Sequence, residues 1–238
     1  MKYYSDNTLT NFVTRLPRRI ELEGQWEVGL VEIQYPHNWY NVPSDTDRLM
    51  TLSRVGENSR IDMNYFEIPP GYYKPDVLLQ RIKTLAAAAT NQSEIDIILE
   101  YDEVDMTYVS ELRGYMLDVG PHVSSLLGLE RTYIPAQPHR GRVVMDIDPI
   151  DSLYVYCDII ESRIVGDVLA PLLRVIPVKG KHGETILKSY ENVHYVPLQR
   201  KTFQTMEIDI RDRTGKAVPF ERGTLSVTLH FRRKRSIL

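Results

Sequence analysis

Residues 224–231 read TLSVTLHF, and their alternation sets the fold class. Leu225, Val227, Leu229 and Phe231 fall on one side of an extended chain, and Ser226, Thr228 and His230 on the other. A period of two is the signature of a strand with one face in a core and one in water. Just upstream, QTMEIDI (204–210) repeats the pattern, with Met206, Ile208 and Ile210 opposite Thr205, Glu207 and Asp209. The Gly-containing RDRTGKAVPF (211–220) between them reads as the turn of a hairpin or near-hairpin. The expected strands are 203–211 and 224–231, with Ile208, Ile210, Val227 and Leu229 buried.

The same pattern extends over the rest of the chain. LTNFVT (9–14) and WEVGLVEIQY (26–35) are strand-like, and the second is apolar on both faces, as suits a strand that is central or at an interface. Further strands are expected at 48–54, 60–68, 95–101, 104–110, 114–118, 142–147, 153–160 and 171–178. Pro, Gly, Asn and Asp separate most of them, which describes a sandwich or barrel rather than repeated βαβ units. One helix competes, KPDVLLQRIKTLAAAAT (74–90), with Pro75 and Asp76 in its first turn and Val77, Leu78, Ile82 and Leu85 as its apolar stripe. A shorter helical turn is expected in HVSSLLGL (122–129), stopped by Gly128. No repeat or Gly/Ser/Pro-rich linker divides the chain, so 1–238 reads as one all-β domain with long loops and one inserted helix.

Composition narrows the function. The 238 residues suffice for one large β domain. The 29 Lys and Arg against 32 Asp and Glu, a net of −3, leave no global field for a polyanion. A single cysteine, Cys157, excludes a disulfide framework and suggests folding in a reducing compartment. MKYYSDNTLT has no apolar signal region and no window reaches the roughly 18 apolar residues of a membrane span, so neither secretion nor anchoring is expected.

Catalytic patterns are weak throughout. No two of His37, His122, His139, His182, His194 and His230 have the spacing of paired metal ligands on a helix. Cys157 is in phase with Leu153, Val155 and Ile159, hence core-facing and inert. RTGKAV lacks the upstream glycine and following hydroxyl of a phosphate loop, and LEYDEVD lacks the spacing of a calcium loop. The reading is of a non-enzyme, with no catalytic residue, metal or cofactor.

Aromatic residues carry more. YPHNWYN places Tyr35, Trp39 and Tyr40 together, GYY supplies Tyr72 and Tyr73, and Tyr154 and Tyr156 lie opposite the expected core face of their strand. Large rings with a polar tip suit interfaces. Trp39, Tyr40, Tyr72, Tyr73, Tyr154 and Tyr156 are therefore the candidate interface residues, with Trp39 the preferred anchor of either a subunit contact or a covering loop. RRKR (232–235) forms the one basic cluster; Arg232, Arg233, Lys234 and Arg235 read as a solvated tail, 232–238, with nuclear localisation or DNA contact as the alternatives.

Three stretches together resemble the penton, or minor capsid, protein of Polinton (Maverick) elements and adintoviruses: NTLTNFVTRLPRRIELEGQWEVGLVEIQYPHNWYNV (7–42), LYVYCDIIESRIVGDVLAPLLRVIPV (153–178) and YVPLQRKTFQTMEIDIRDRTGKAVPFERGTLSVTLHFRR (195–233). The resemblance runs from about residue 7 to 233 and weakens between 44 and 120. It implies a single jelly-roll of two antiparallel sheets, a homopentamer at capsid vertices, and a double jelly-roll major capsid protein as neighbour. It further implies packaged DNA as a weak, non-specific contact, and residence in the virion after synthesis in the host cytoplasm, with assembly there or in the nucleus. A ring of subunits joined head to tail needs two different side patches, which accounts for a strand apolar on both faces. The alternative is a carbohydrate-binding sandwich that stacks sugars on Trp39, Tyr40, Tyr72 and Tyr73. A cupin-like hydrolase would need a His/carboxylate metal cluster that the sequence does not display.

Overall fold

The computed structural model describes residues 4–55, 61–93, 95–148 and 150–234. In chain order the elements begin with β1 (Asn11–Glu21), β2 (Trp26–Pro36), β3 (Leu49–Val55) and β4 (Ile61–Glu67). Helix α1 (Pro75–Ala89) precedes β5 (Ile98–Asp102), β6 (Thr107–Glu111) and β7 (Tyr115–Asp118). Helix α2 (Gly120–Leu126) and the two-residue strands β8 (Tyr133–Ile134) and β9 (His139–Arg140) follow. The remainder holds β10 (Ser152–Cys157), β11 (Arg163–Val165), β12 (Val168–Ala170) and β13 (Leu172–Pro177). It ends with β14 (Thr185–Ser189), β15 (Tyr195–Pro197), β16 (Thr202–Arg211) and β17 (Ser226–Arg233).

These elements fall into two compact units, Met1–Trp39 with Ile150–Leu238, and Tyr40–Pro149. The expectation was one domain with inserted loops; the insertion between β2 and β10 has sheets and a core of its own.

The first unit is a jelly-roll sandwich. One sheet runs β1-β16-β10-β13, so strands far apart in sequence are neighbours in space. In the other, β17 pairs with Trp26–Gln34 of β2, while β14 and β15 pair with Glu32–Pro36 and Glu27–Gly29. A strand has only two edges, so β14 and β15 share the edge opposite β17 and act as one interrupted strand. Apart from β10 and β13, which pair with each other, and the shared-edge β14 and β15, successive strands of the sandwich cross between the two sheets, as in a jelly roll. The doubly apolar β2 is central, as its composition requires. The interior holds Phe12, Val28, Leu30, Ile33, Leu153, Val155, Cys157, Ile176, Ile208 and Ile210.

The C-terminal expectation is corrected in one respect. β16 and β17 are not a hairpin: β16 pairs with β1 and β10, and β17 with β2 in the opposite sheet. The intervening Gly215 turn closes on β16 itself, through Asp212 N–H to Lys216 O and the Arg211–Ala217 bridge. Burial keeps the expected phase. Ile208 and Ile210 are buried, and Val227 and Leu229 are partly buried against the same core.

The second unit combines the sheets β4-β3-β7-β8 and β5-β6-β9 with α1 and α2. Pro75 opens α1 and Asp76 sits in its first turn, where a missing N–H and a negative charge are both tolerated. Its buried face, Leu78, Leu79, Ile82, Ala86 and Ala87, joins Met50, Leu52, Phe66, Leu117 and Val123 in one core. The chain enters and leaves this unit at adjacent points, because Asn41 Nδ2 donates to Ile147 O at 2.9 Å and to Tyr73 O at 2.7 Å. Residues 142–147, expected as a strand, are a loop. Met145 and Ile147 are buried there without a ladder, and Met145 N–H bonds singly to Met106 O. Apolar side chains on an irregular segment imitate a strand pattern.

Candidate assembly surface

The best candidate for an assembly surface is built on β10, whose inward residues Leu153, Val155 and Cys157 are fixed in the sandwich. Alternation then forces Tyr154 and Tyr156 onto the outer face of the sheet. Across the ladder Tyr154 sits beside Arg211 and Val175, and Tyr156 beside Asp209. Between Tyr156, Asp158, Ala170, Pro171, Glu207 and Arg211 lies a depression of about 390 Å³. Its polar floor is ordered: Asp158 accepts from Glu207 N–H at 2.8 Å and from Arg200 at 2.9 Å. Burial raises the Tyr156 phenol above its ordinary value, with the Arg211 charge opposing the rise. It is thus a neutral ring at physiological pH, suited to packing and hydrogen bonding.

Next to this depression the chain forms the β11–β12 hairpin, which among the described residues has no ladder partner beyond itself. Ile164 and Leu169 face each other across it at 79% and 72% exposure, and Val168 is 56% exposed. Alternation puts Val168 on the opposite face, so Ile164 and Leu169 form the open aliphatic pair, which burial in the fold does not require. The sequence reading assigned strands to either side and missed this element. Its signal was present in VGDV (165–168): a two-residue Gly-Asp loop between apolar runs specifies a tight hairpin, and Gly166 takes φ 62° as such a turn demands.

The predicted interface residues are dispersed. Trp39, the preferred anchor, is 1% exposed, with its ring 4.4 Å from His37 and 5.8 Å from Phe220. It packs within its own chain against Phe220 of the loop between β16 and β17, so of its two expected roles it is the anchor of a covering loop and has no surface to offer a neighbouring subunit or a sugar. Tyr40, Tyr72 and Tyr73 are half-buried in the second unit. There the Tyr73 hydroxyl donates to Pro69 O at 2.7 Å and the Tyr72 hydroxyl reaches Asp148 at 3.5 Å. Of the six, Tyr154 and Tyr156 share one outer sheet face.

The basic tail is also redrawn. Arg232 and Arg233 belong to β17 and pair in register with Glu27 and Trp26. The Arg232 guanidinium bonds Glu27 and lies 3.5 Å from the centre of the Tyr195 ring, and that of Arg233 is 5.9 Å from Trp26. Aromatic faces and a carboxylate hold these two cations against the sheet. Lys234 N–H bonds Gln25 O, and Arg235 lies outside the described residues.

Burial pushes the Cys157 thiol up to about 11, so it carries no thiolate at neutral pH. Among the described residues no group of three or more His, Cys, Asp or Glu is placed to hold a metal. No helix among them is long and apolar enough to cross a membrane.

The fold resembles that of the mavirus penton protein. The crystal structure of the selenomethionine-labelled mavirus penton protein superposes with a TM-score of 0.53. The match covers 93% of this chain and 90% of that one at 10% identity. No family model matches the sequence, and no curated protein is similar to it. At such identity the likeness establishes the penton-like jelly-roll fold, and it spans both compact units.

Proposed function

We propose that the protein is a structural capsid protein of penton type that assembles as a homopentamer at capsid vertices. In this reading it belongs to a particle of the Polinton and adintovirus kind and works by assembly rather than catalysis. The observation that carries the proposal is the near-complete mutual coverage with the mavirus penton protein, 93% of one chain and 90% of the other, which includes the insertion as well as the sandwich. The bare β11–β12 hairpin supports it, since heterologous ring contacts need a projecting patch on one flank and a receiving patch on the other. In that ring Ile164 and Leu169 are the projecting patch, and Tyr154 and Tyr156 contribute to the flank. The major capsid protein is the outer neighbour, packaged DNA a weak contact of the basic strand end, and the virion capsid the final location.

Sedimentation equilibrium of the purified chain tests the reading. The expected particle has five times the 27.6 kDa chain mass. A chain that stays monomeric at high concentration and does not enter a capsid vertex overturns it.

A further inference from the structure

The outer strands of the sheets differ in how they are protected. An edge strand exposes a row of unpaired N–H and C=O groups, and natural sheets blunt such edges with proline, lysine, bulges or short length. β1 carries Pro17, Arg15, Arg18 and Arg19, and its register with β16 shifts between Arg15 and Ile20. β13 lies between Pro171 and Pro177, and β17 has a register shift at Thr228/Leu229 and ends in two arginines. β14 and β5 are five residues each, with Lys188 in one and Glu100 in the other.

β4 has none of these devices except its two acidic residues. It pairs with β3 in unbroken register from Glu67 to Ile61, and no proline, lysine or arginine interrupts IDMNYFE. Among the described residues its backbone bonds to no strand but β3. Its outward side chains are apolar and open: Ile61, Met63 and Tyr65 are 57%, 54% and 60% exposed. Met116 extends the patch across Ser53 of β3, at 44% exposure. Tyrosine and methionine are the residues that interfaces favour and adaptable surfaces overuse.

Charge selects the occupant. The formal charge of −3 is divided unevenly between the two units. Tyr40–Pro149 holds 17 Asp and Glu against 10 Lys and Arg, a net of −7, while the rest of the chain holds 15 against 19, a net of +4. Two such edges brought together would set −7 against −7, which opposes a second copy. β4 itself carries Asp62, which stands across from Arg54 of β3, and Glu67, which Arg48 reaches at 3.6 Å, so the attraction rests on the net −7 of the whole unit. We infer that β4 is a docking edge for an extended cationic peptide segment of a partner protein, which adds as a strand beside Ile61–Glu67 and lays alternate apolar side chains against Met63 and Tyr65. Main-chain bonds supply the affinity in this mode and the alternating side chains the selectivity. The inference stands apart from the vertex assignment, since it concerns the inserted unit and is read without a ring.

Hydrogen exchange of the full-length protein tests it with a capped nonapeptide that alternates valine with lysine. Binding is expected to slow exchange in 61–67, to weaken as salt is raised, and to be at least tenfold tighter than that of the valine–glutamate counterpart. Met63→Lys and Tyr65→Lys, both at exposed positions, are expected to reduce lysine-peptide affinity tenfold or more without lowering Tm. Three results overturn the inference: no binding of either peptide, equal binding of both, or protection elsewhere with 61–67 unchanged. Concentration-dependent self-association abolished by Met63→Lys overturns it in favour of a second copy. The three peptide results leave the sedimentation result untouched, and self-association through β4 is told apart from the ring because Met63→Lys abolishes it while Ile164→Ser with Leu169→Ser does not.

Discussion

At the scale of single residues, Trp39 and Cys157 show how much burial decides. In YPHNWYN the tryptophan looks like an anchor because its ring is large and its neighbours are polar. The structure closes His37 and Phe220 around it instead. Trp39→Ala is therefore expected to cost about 3–5 kcal/mol in urea unfolding, with loss of assembly only as a consequence of unfolding. An interface tryptophan would give a stable, unassembled chain. Cys157 was legible: its phase with Leu153 and Val155 placed it inward, and it is inward. Its thiol, at 9.0 in the reference state, is pushed up to about 11 in the fold. The unfolded chain thus loses this proton first as pH rises. Stability from this group is whole below pH 9 and falls by about 2–3 kcal/mol by the time pH passes 11. Native protein at pH 8 is expected to resist a thiol reagent such as dithionitrobenzoate, and one equivalent is expected to react in denaturant.

At the scale of elements, the sequence disclosed strands far better than it disclosed their partners. Alternation in TMEIDI and LSVTLHF follows from the local geometry of an extended chain, so it is readable residue by residue. Which strand lies beside which is set by contacts hundreds of ångströms of chain apart, and the Gly215 turn misled because it closes on one strand rather than joining two. The β11–β12 hairpin escaped for a related reason: its apolar residues cover nothing in the monomer, so no core periodicity marks them. Ile164→Ser with Leu169→Ser is expected to leave Tm within a few degrees, since little is buried, and to abolish the oligomer in sedimentation. A double variant that assembles normally would remove the hairpin from the interface. Gly29 in β2 illustrates the opposite constraint. A Cβ there would stand 2.4 Å from Val193 Cγ1 and 2.8 Å from His194 O, where β14 passes into β15. Gly29→Ala is expected to destabilise by roughly 1–3 kcal/mol through overpacking, seen as a lower urea midpoint with an unchanged m-value.

At the scale of the whole molecule, the division into two units is the feature sequence patterning could not give. No Gly/Ser/Pro-rich linker marks residue 40 or 149, because the inserted unit is tied at its own ends: Asn41 bonds to both Tyr73 O and Ile147 O, and Val42 bridges Gly71. A junction closed by hydrogen bonds needs no flexible spacer and leaves no compositional trace. The core of this unit draws on Met50, Leu52, Phe66, Ile82, Leu99, Tyr108, Leu117 and Val123, all from within 40–149. A segment of about 110 residues is large enough to bury such a core unaided. The isolated segment 40–149 is therefore expected to fold by itself, to unfold in one cooperative transition followed by circular dichroism, and to migrate as a strongly acidic species at neutral pH. Asn41→Ala, which removes the bonds to Tyr73 O and Ile147 O and the one its Oδ1 accepts from Tyr73 N–H, is expected to lower its midpoint by the equivalent of about 1–3 kcal/mol. Failure of the isolated segment to fold at any salt concentration, while the full chain folds, would show that its core depends on the sandwich, and the insertion would then have to be treated as part of one domain.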